Sequence, residues 1–148
     1  MTEINPIQPF KYKTKIDLRF NDFDLLGHVN NATYLTYFEI GRTKYWQQAI
    51  NWNWKKTGII IGSASIEYKQ PIFPEDTIYI YIRTSRIGIK SFDLEYLIVK
   101  EINNKESICS TGKTSCIAFD YTSKKSVSIP EIERSKMIDF EQLDLKIA

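Results

Sequence analysis

The chain has 148 residues, 43% of them hydrophobic and 14% aromatic, with 20 Lys and Arg against 18 Asp and Glu and a formal charge of +2. That length suits one domain burying roughly 70% of its extended surface, and the composition excludes a disordered segment. The Lys pairs at 55–56 and 124–125 stand alone, so the balanced charge gives no nucleic-acid footprint, although a local basic patch for a phosphorylated small molecule stays open.

The first thirteen residues, MTEINPIQPFKYK, hold two prolines and no apolar run, so neither a signal peptide nor a membrane span is expected. Lys11–Phe20 alternates Tyr12, Ile16 and Leu18 with Lys13, Lys15, Asp17 and Arg19 and predicts a first strand. The loop Asn21–Asn30 follows, with two aspartates, a glycine and the only histidine. From Asn31 the residues Tyr34, Leu35, Phe38, Tyr45, Trp46 and Ala49 recur at helical spacing and predict a long helix with one buried stripe. Asn30 or Asn31 is its expected N-cap. Gly41 inside it costs about 1 kcal/mol relative to Ala, a cost that close packing against a wrapping sheet would offset.

The rest is strand-rich. Strands are expected at Ile59–Lys69, Thr77–Arg86, Ser91–Lys100 and Glu106–Tyr121, separated by Gln70-Pro71, Phe73-Pro74-Glu75-Asp76, Gly88 and Asn103-Asn104-Lys105. Such short connections favour antiparallel neighbours. In Thr77–Arg86, Ile78, Ile80 and Ile82 share one face, and Tyr79, Tyr81 and Arg83 the other. After Lys124 a terminal loop with a short helix near Ile132–Phe140 is expected. The whole is one α+β domain, 1–148, with 1–10 and 123–148 as peripheral segments. Its aromatic second sheet face suggests cover by a partner subunit, hence a homodimer. Cys109 and Cys116 lie seven apart on one strand, about 23 Å at ~3.3 Å per residue, which excludes a mutual disulfide. Reduced, cytoplasmic chemistry is the expectation. One histidine and two separated cysteines are too few ligands for zinc, and no cofactor is expected.

The chain also carries an ordered set of short motifs. They are Arg19-Phe20-Asn21-Asp22-Phe23-Asp24, Gly27-His28-Val29-Asn30-Asn31, Tyr34, Tyr37-Phe38-Glu39, Arg42, Ile66-Glu67-Tyr68-Lys69-Gln70-Pro71, Pro74-Glu75-Asp76, Lys90-Ser91-Phe92, Tyr96, Phe119-Asp120 and Ile129-Pro130. In this order and spacing the chain resembles the hotdog-fold thioesterases of the hydroxybenzoyl-coenzyme A and acyl-coenzyme A branch. The resemblance implies one long central helix wrapped by a curved antiparallel β-sheet of about five strands. It also implies dimers that pair sheets edge to edge, open to further pairing as tetramers, with the active site at the interface. Asp24 matches the family's catalytic carboxylate, and Asn31 the position whose backbone N–H polarises the thioester carbonyl. His28 fits the His-Val-Asn-Asn form of the loop. Gly27, Val29 and Tyr34 fall where substrate is bound, and Arg86, Lys90 and Ser91 at a turn that can meet coenzyme A phosphates. Relatives acting on acyl carrier protein carry an asparagine two residues after the aspartate, where this chain has Leu26.

The residues suit that chemistry. A thiolate leaves with a pKa near the ~8.5 of cysteine and needs no strong acid. Hydrolysis needs an activated nucleophile and oxyanion donors, available from Asp24 as base or nucleophile and from the amides at the helix start. The structural alternatives are an Asx-turn for Asp24, packing for His28, a φ > 0 turn for Gly27, and an ion pair rather than a second acid for Glu39 with Arg42. Tyr34, Leu35 and Phe38 could line an acyl pocket or simply be core. Gly62-Ser63-Ala64-Ser65 lacks a nucleophile elbow. The expected activity is hydrolysis of acyl-coenzyme A to free acid and coenzyme A, a step of lipid metabolism. The alternatives are hydrolysis of acyl chains from acyl carrier protein, or an acyl-ligand binding module without turnover.

Overall fold

The computed structural model describes residues 5–143. Strand β1 (Tyr12–Ile16) leads through a 3₁₀ turn (Phe20–Asp22) to helix α1 (Thr33–Tyr45), which widens into a π-helical turn (Trp46–Ile50). Strands β2 (Gly58–Tyr68), β3 (Thr77–Ile87), β4 (Ser91–Ile102), β5 (Lys105–Asp120) and β6 (Lys125–Ser126) follow, then helix α2 (Glu131–Glu141). The sheet order is β1-β3-β4-β5-β2, with β6 added beside β5, and every pairing is antiparallel. The sheet curls around α1 as a half-barrel, the architecture that the resemblance implies. No helix among the described residues is long and apolar enough to cross a membrane.

The first strand is shorter than its alternation suggests. Ile16 pairs with Ile78, one residue from the start of β3, so beyond it the ladder has almost no partner left and Leu18–Phe20 leave the sheet. The helix buries Tyr34, Tyr37, Phe38, Gly41 and Tyr45, a 3-4 spacing that puts Tyr37 rather than Leu35 on the core face; Leu35 is 44% exposed. Gly41 is packed as closely as its cost requires: a Cβ there would lie 2.7 Å from Ile82 Cδ1 and 3.0 Å from Ile80. The Phe38 ring stacks on Tyr96 at 4.3 Å and 11°, so Phe38 is core and lines no acyl pocket.

The outer face of the sheet is covered in part by the chain itself. Ile7 and Phe10 pack over Tyr79, Tyr81, Leu97 and Val99, so the aromatic face is no argument for a partner subunit. The hairpin joining β4 to β5 turns on Asn103 and Asn104, both at positive φ (54° and 63°), as a type I′ turn requires. Among the described residues strand β2 has β5 on one side and no strand on the other, which leaves a long, exposed edge.

Helix α2 contributes Met137 to the core and ends in a buried carboxylate. Glu141 Oε2 accepts from the Tyr45 hydroxyl at 2.6 Å and from the Thr84 N–H at 2.8 Å. Burial pushes its pKa up, against the opposing pull of Tyr45, Thr84, Lys11 and Arg83. A carboxyl whose folded pKa lies above its unfolded value of ~4.3 stabilises most when protonated, and that contribution is lost as pH rises through the folded pKa. Glu141→Gln keeps an acceptor for both donors and removes the charge. Unfolding in urea across pH 4–8 is expected to show a variant whose stability stays flat where the wild type declines; parallel curves would assign the decline elsewhere.

Candidate active site

The loop between β1 and α1 is built on Asp22, which is 2% exposed. Its carboxylate accepts from the Arg19 N–H at 2.9 Å, the Arg19 guanidinium at 3.1–3.2 Å and the Tyr37 hydroxyl at 2.7 Å. Its carbonyl accepts from the Asn30 N–H at 2.8 Å. Asp22 thus ties β1, the far end of the loop and the buried face of α1 together, the structural part that its position suggests.

Above that anchor the chain forms a small hairpin. Phe23 bridges Val29, the Asp24 N–H donates to the His28 carbonyl at 3.1 Å, and the Gly27 N–H closes on the Asp24 carbonyl at 3.1 Å. Gly27 turns the chain at φ 87°, conformational freedom that only glycine supplies without strain. Asp24 Oδ1 accepts from the Leu26 N–H at 2.9 Å. This is the Asx-turn, and it aims the carboxylate: Oδ2 has no hydrogen-bond partner among the described residues. His28 Nδ1 lies 3.2 Å from the Val29 carbonyl. A carbonyl can only accept, so Nδ1 is the donor in this contact. The ring meets Phe73 edge-on at 6.4 Å and forms no hydrogen bond with the Asp24 carboxylate among the described residues. Val29 is fully buried and donates to the Ile72 carbonyl at 2.8 Å; it pins the loop to the connection between β2 and β3.

Asn30 opens the helix: its Oδ1 takes the Ala32 N–H at 3.0 Å and its carbonyl the Thr33 N–H at 2.9 Å. The Asn31 N–H between them has no partner among the described residues. Two tyrosines hold this end in place. The Tyr68 hydroxyl donates to the Asn31 carbonyl at 2.8 Å, and Tyr34, packed edge-on against Tyr68 at 5.0 Å, reaches toward the Gln70 carbonyl at 3.5 Å. Burial, with Cys109 and Tyr68 nearby, pushes the Tyr34 hydroxyl up to about 12, so it acts as a neutral donor. The connection from β2 to β3 is pinned by Lys100, which donates to the Pro71 carbonyl at 2.9 Å and pairs with Asp76 at 3.1 Å. Sequence reasoning missed Lys100; the one signal was a lysine in a strand otherwise reading apolar at 96–99.

Two open cavities flank the hairpin. One, of about 870 Å³, is walled by Leu18, Phe20, Phe23, Leu25 and Pro74 together with Asp24 and Asn21. The other, of about 230 Å³, is walled by His28, Asn31, Tyr34, Tyr68, Lys69, Gln70 and Pro71. His28, Asn31 and Tyr34 thus line the smaller cavity, and Asp24 lines the larger one. Leu35 and Phe38 line neither space.

Arg86, Lys90 and Ser91 are not part of this constellation within one chain. Ser91 pairs with Ile117, whereas Tyr68 pairs with Ser110, about 23 Å away along β5 at ~3.3 Å per residue. Arg86 is held by Asp93 at 2.9 Å and by Ser91 Oγ at 3.1 Å, and Lys90 is exposed. Glu39 is exposed as well and forms no ion pair with Arg42 among the described residues. Both cysteines are free and buried, and burial pushes each thiol up to about 11, which leaves almost no thiolate for nucleophilic chemistry.

Comparison with known proteins places these features in context. The profile of the thioesterase-like superfamily matches residues 18–136, from the end of β1 into α2. The uncharacterised Bacillus subtilis protein YsmA is 30% identical over 131 residues, which cover 87% of this chain and 86% of that one. A Thermus thermophilus thioesterase, solved in complex with coenzyme A and Zn, superposes with a TM-score of 0.81 at 27% identity, covering 93% of this chain and 99% of that one. A Staphylococcus aureus DHNA-CoA thioesterase shares the fold with a TM-score of 0.74 at 18% identity, covering 90% of this chain and 95% of that one.

Proposed function

This chain belongs to the thioesterase-like superfamily, a thioester hydrolase by that membership, and we propose that its reaction is hydrolysis of acyl-coenzyme A to a free acid and coenzyme A. One observation carries the reading: a carboxylate oxygen at Asp24 and an amide N–H at Asn31, both without partners among the described residues, stand on one loop whose two arms are hydrogen-bonded. A thioester lying over the hairpin rim would present its carbonyl carbon to the acid side and its oxygen to the amide side. Asp24 takes a proton from water as the water oxygen bonds to the carbonyl carbon. The oxyanion is held by the Asn31 N–H at the positive end of α1. The C–S bond then breaks and the thiolate departs. Direct attack by Asp24 through an anhydride, released by water, gives the same products. His28, in the wall of the smaller cavity, and Tyr34, as a neutral donor, are proposed as substrate contacts, and Gly27 as the turn that holds the hairpin open.

The coenzyme A arm brings the second half of the proposal. The open β2 edge fits pairing with β2 of a second copy about a two-fold axis. Antiparallel pairing would set the Gly58 end of one copy beside the Tyr68 end of the other. The turn carrying Arg86, Lys90 and Ser91 would then approach the neighbouring copy's smaller cavity, where phosphates need cations. The homodimer is thus proposed on the edge and not on the aromatic face, and the buried free cysteines fit a reducing, cytoplasmic setting.

Thiol release from short, medium and long acyl-coenzyme A substrates, run beside matched acyl carrier protein substrates, tests the reaction. Turnover of the coenzyme A series at higher kcat/KM is expected. Preference for the carrier protein would transfer the activity to that substrate, and thermal stabilisation by acyl-coenzyme A without thiol release would make the protein a binding module.

A further inference from the structure

An amide serves as an oxyanion donor only where its direction is fixed, and helix α1 alone does little to fix Asn31. Within the helix the Asn31 carbonyl receives the Tyr34 N–H at 3.4 Å, and the Ala32 carbonyl receives the Leu35 N–H at 3.3 Å. Both lie beyond the ordinary N–H···O range, so the first turn is loosely closed. The stronger hold comes from outside the helix. The Tyr68 hydroxyl donates to the same Asn31 carbonyl at 2.8 Å. Strand β2 stands at the opposite edge of the sheet from β1, and this is the one hydrogen bond joining β2 to segment 20–50 among the described residues.

The phenol is itself well anchored. Tyr68 pairs with Ser110, whose Oγ donates to the Glu67 carbonyl at 2.9 Å. The Lys69 and Gln70 N–H groups both donate to the Cys109 carbonyl, at 2.8 and 3.1 Å. Tyr34 meets the Tyr68 ring edge-on at 5.0 Å. A phenol has one proton to donate, and here it is committed to Asn31. Tyr68 therefore acts through the helix entrance and not on a substrate oxygen.

We propose that Tyr68 is a positioning residue for hydrolysis, its hydroxyl holding the Asn31 N–H in the direction that a developing oxyanion needs. The inference rests on the thioester-hydrolase reading and names a residue to which that reading gives no part. A thioester carbonyl is a weak acceptor and the tetrahedral oxyanion a strong one, so a loosened amide costs the transition state more than the bound substrate. The loss therefore falls on kcat and leaves substrate binding in place.

Tyr68→Phe tests this, since it keeps the ring against Tyr34 and removes only the hydroxyl of a side chain that is 44% exposed. On hexanoyl-coenzyme A, kcat is expected to fall about tenfold, less than the ~100-fold or more lost with an oxyanion donor itself. KM should stay within about twofold and Tm should not move. Calorimetric titration separates positioning from general disturbance. The thioether hexyl-coenzyme A has no carbonyl and should bind both proteins equally. A trifluoromethyl ketone analogue, whose hydrate imitates the tetrahedral intermediate, should bind the variant about tenfold more weakly. In ¹⁵N relaxation the order parameter of the Asn31 N–H should fall from about 0.85 in the wild type to below ~0.6 in the variant. An unchanged kcat overturns the proposal. So does a rise in KM alone, an equal loss of affinity for both analogues, or a drop in Tm that accounts for the lost rate. If the wild type releases no thiol, the hydrolytic reading falls by itself, and the order parameter still decides the tie. An equally rigid amide in the variant would show that Tyr68 does not hold it.

Discussion

Asp24→Asn is expected to lower kcat on acyl-coenzyme A at least ~100-fold, about 2.7 kcal/mol of barrier, without loss of fold. The reason lies in the division of labour between the two carboxylate oxygens. Oδ1 serves the loop by accepting the Leu26 N–H, and an asparagine side-chain oxygen can do the same. Oδ2 serves no structural partner, so replacing it removes a base or nucleophile and little else. Initial rates with a thiol reagent, paired with thermal unfolding of the same preparation, separate the two roles. A variant with unchanged Tm and full turnover would take Asp24 out of the chemistry. A large drop in Tm would mean that the charge holds the hairpin together.

The largest effect on stability is expected at Phe38. Its ring is fully buried, stacks on Tyr96 at 4.3 Å, and fills the space above Gly112, where a Cβ would come within 2.3 Å of the ring and 3.1 Å of the Ser65 carbonyl. Phe38→Ala should cost ~3–5 kcal/mol through lost burial and an unfilled cavity, lowering Tm by ~10 °C for a domain of this size. Gly112→Ala should cost ~1–3 kcal/mol by the opposite fault, overpacking against a ring that cannot retreat. The two should not add. In the Phe38→Ala background the methyl at 112 meets space instead of a ring, so its penalty is expected to shrink or reverse. Urea unfolding of the four proteins in the cycle measures this, and strict additivity would show that the ring and Gly112 do not press on each other.

Local patterns made the elements readable. Alternation located the strands because β3 and β4 each bury one face against α1, as Ile78, Ile80 and Ile82 show, and Gly41 announced close packing because no other role suits a glycine there. The patterns failed where the deciding partner is distant in sequence. Leu35 looked like core by spacing, yet the curl of the sheet reaches Tyr37 instead. The aromatic outer face looked like a subunit contact, but Ile7 and Phe10 return to cover it. In the site, Gly27 and the free amide of Asn31 were legible from loop chemistry. That Asp24 lines one cavity and Asn31 another was not, because the loop's course depends on the hairpin bridge from Phe23 to Val29. The Val29–Ile72 and Pro71–Lys100 ties were equally hidden, since nothing local marks residues so far apart in sequence as neighbours.

Those ties bear on how the protein acquires its working shape. Val29 is fastened to Ile72, and Pro71 in turn to Lys100, so the hairpin is gripped by segments that leave the ribosome well after it. Contacts of such long sequence separation are closed late and slowly. A nascent chain ending before β4 would contain every residue of the acid and amide pair without Lys100, which fastens the segment that grips them. Competence therefore arrives with the middle of the sheet, long after the residues of the pair have been synthesised.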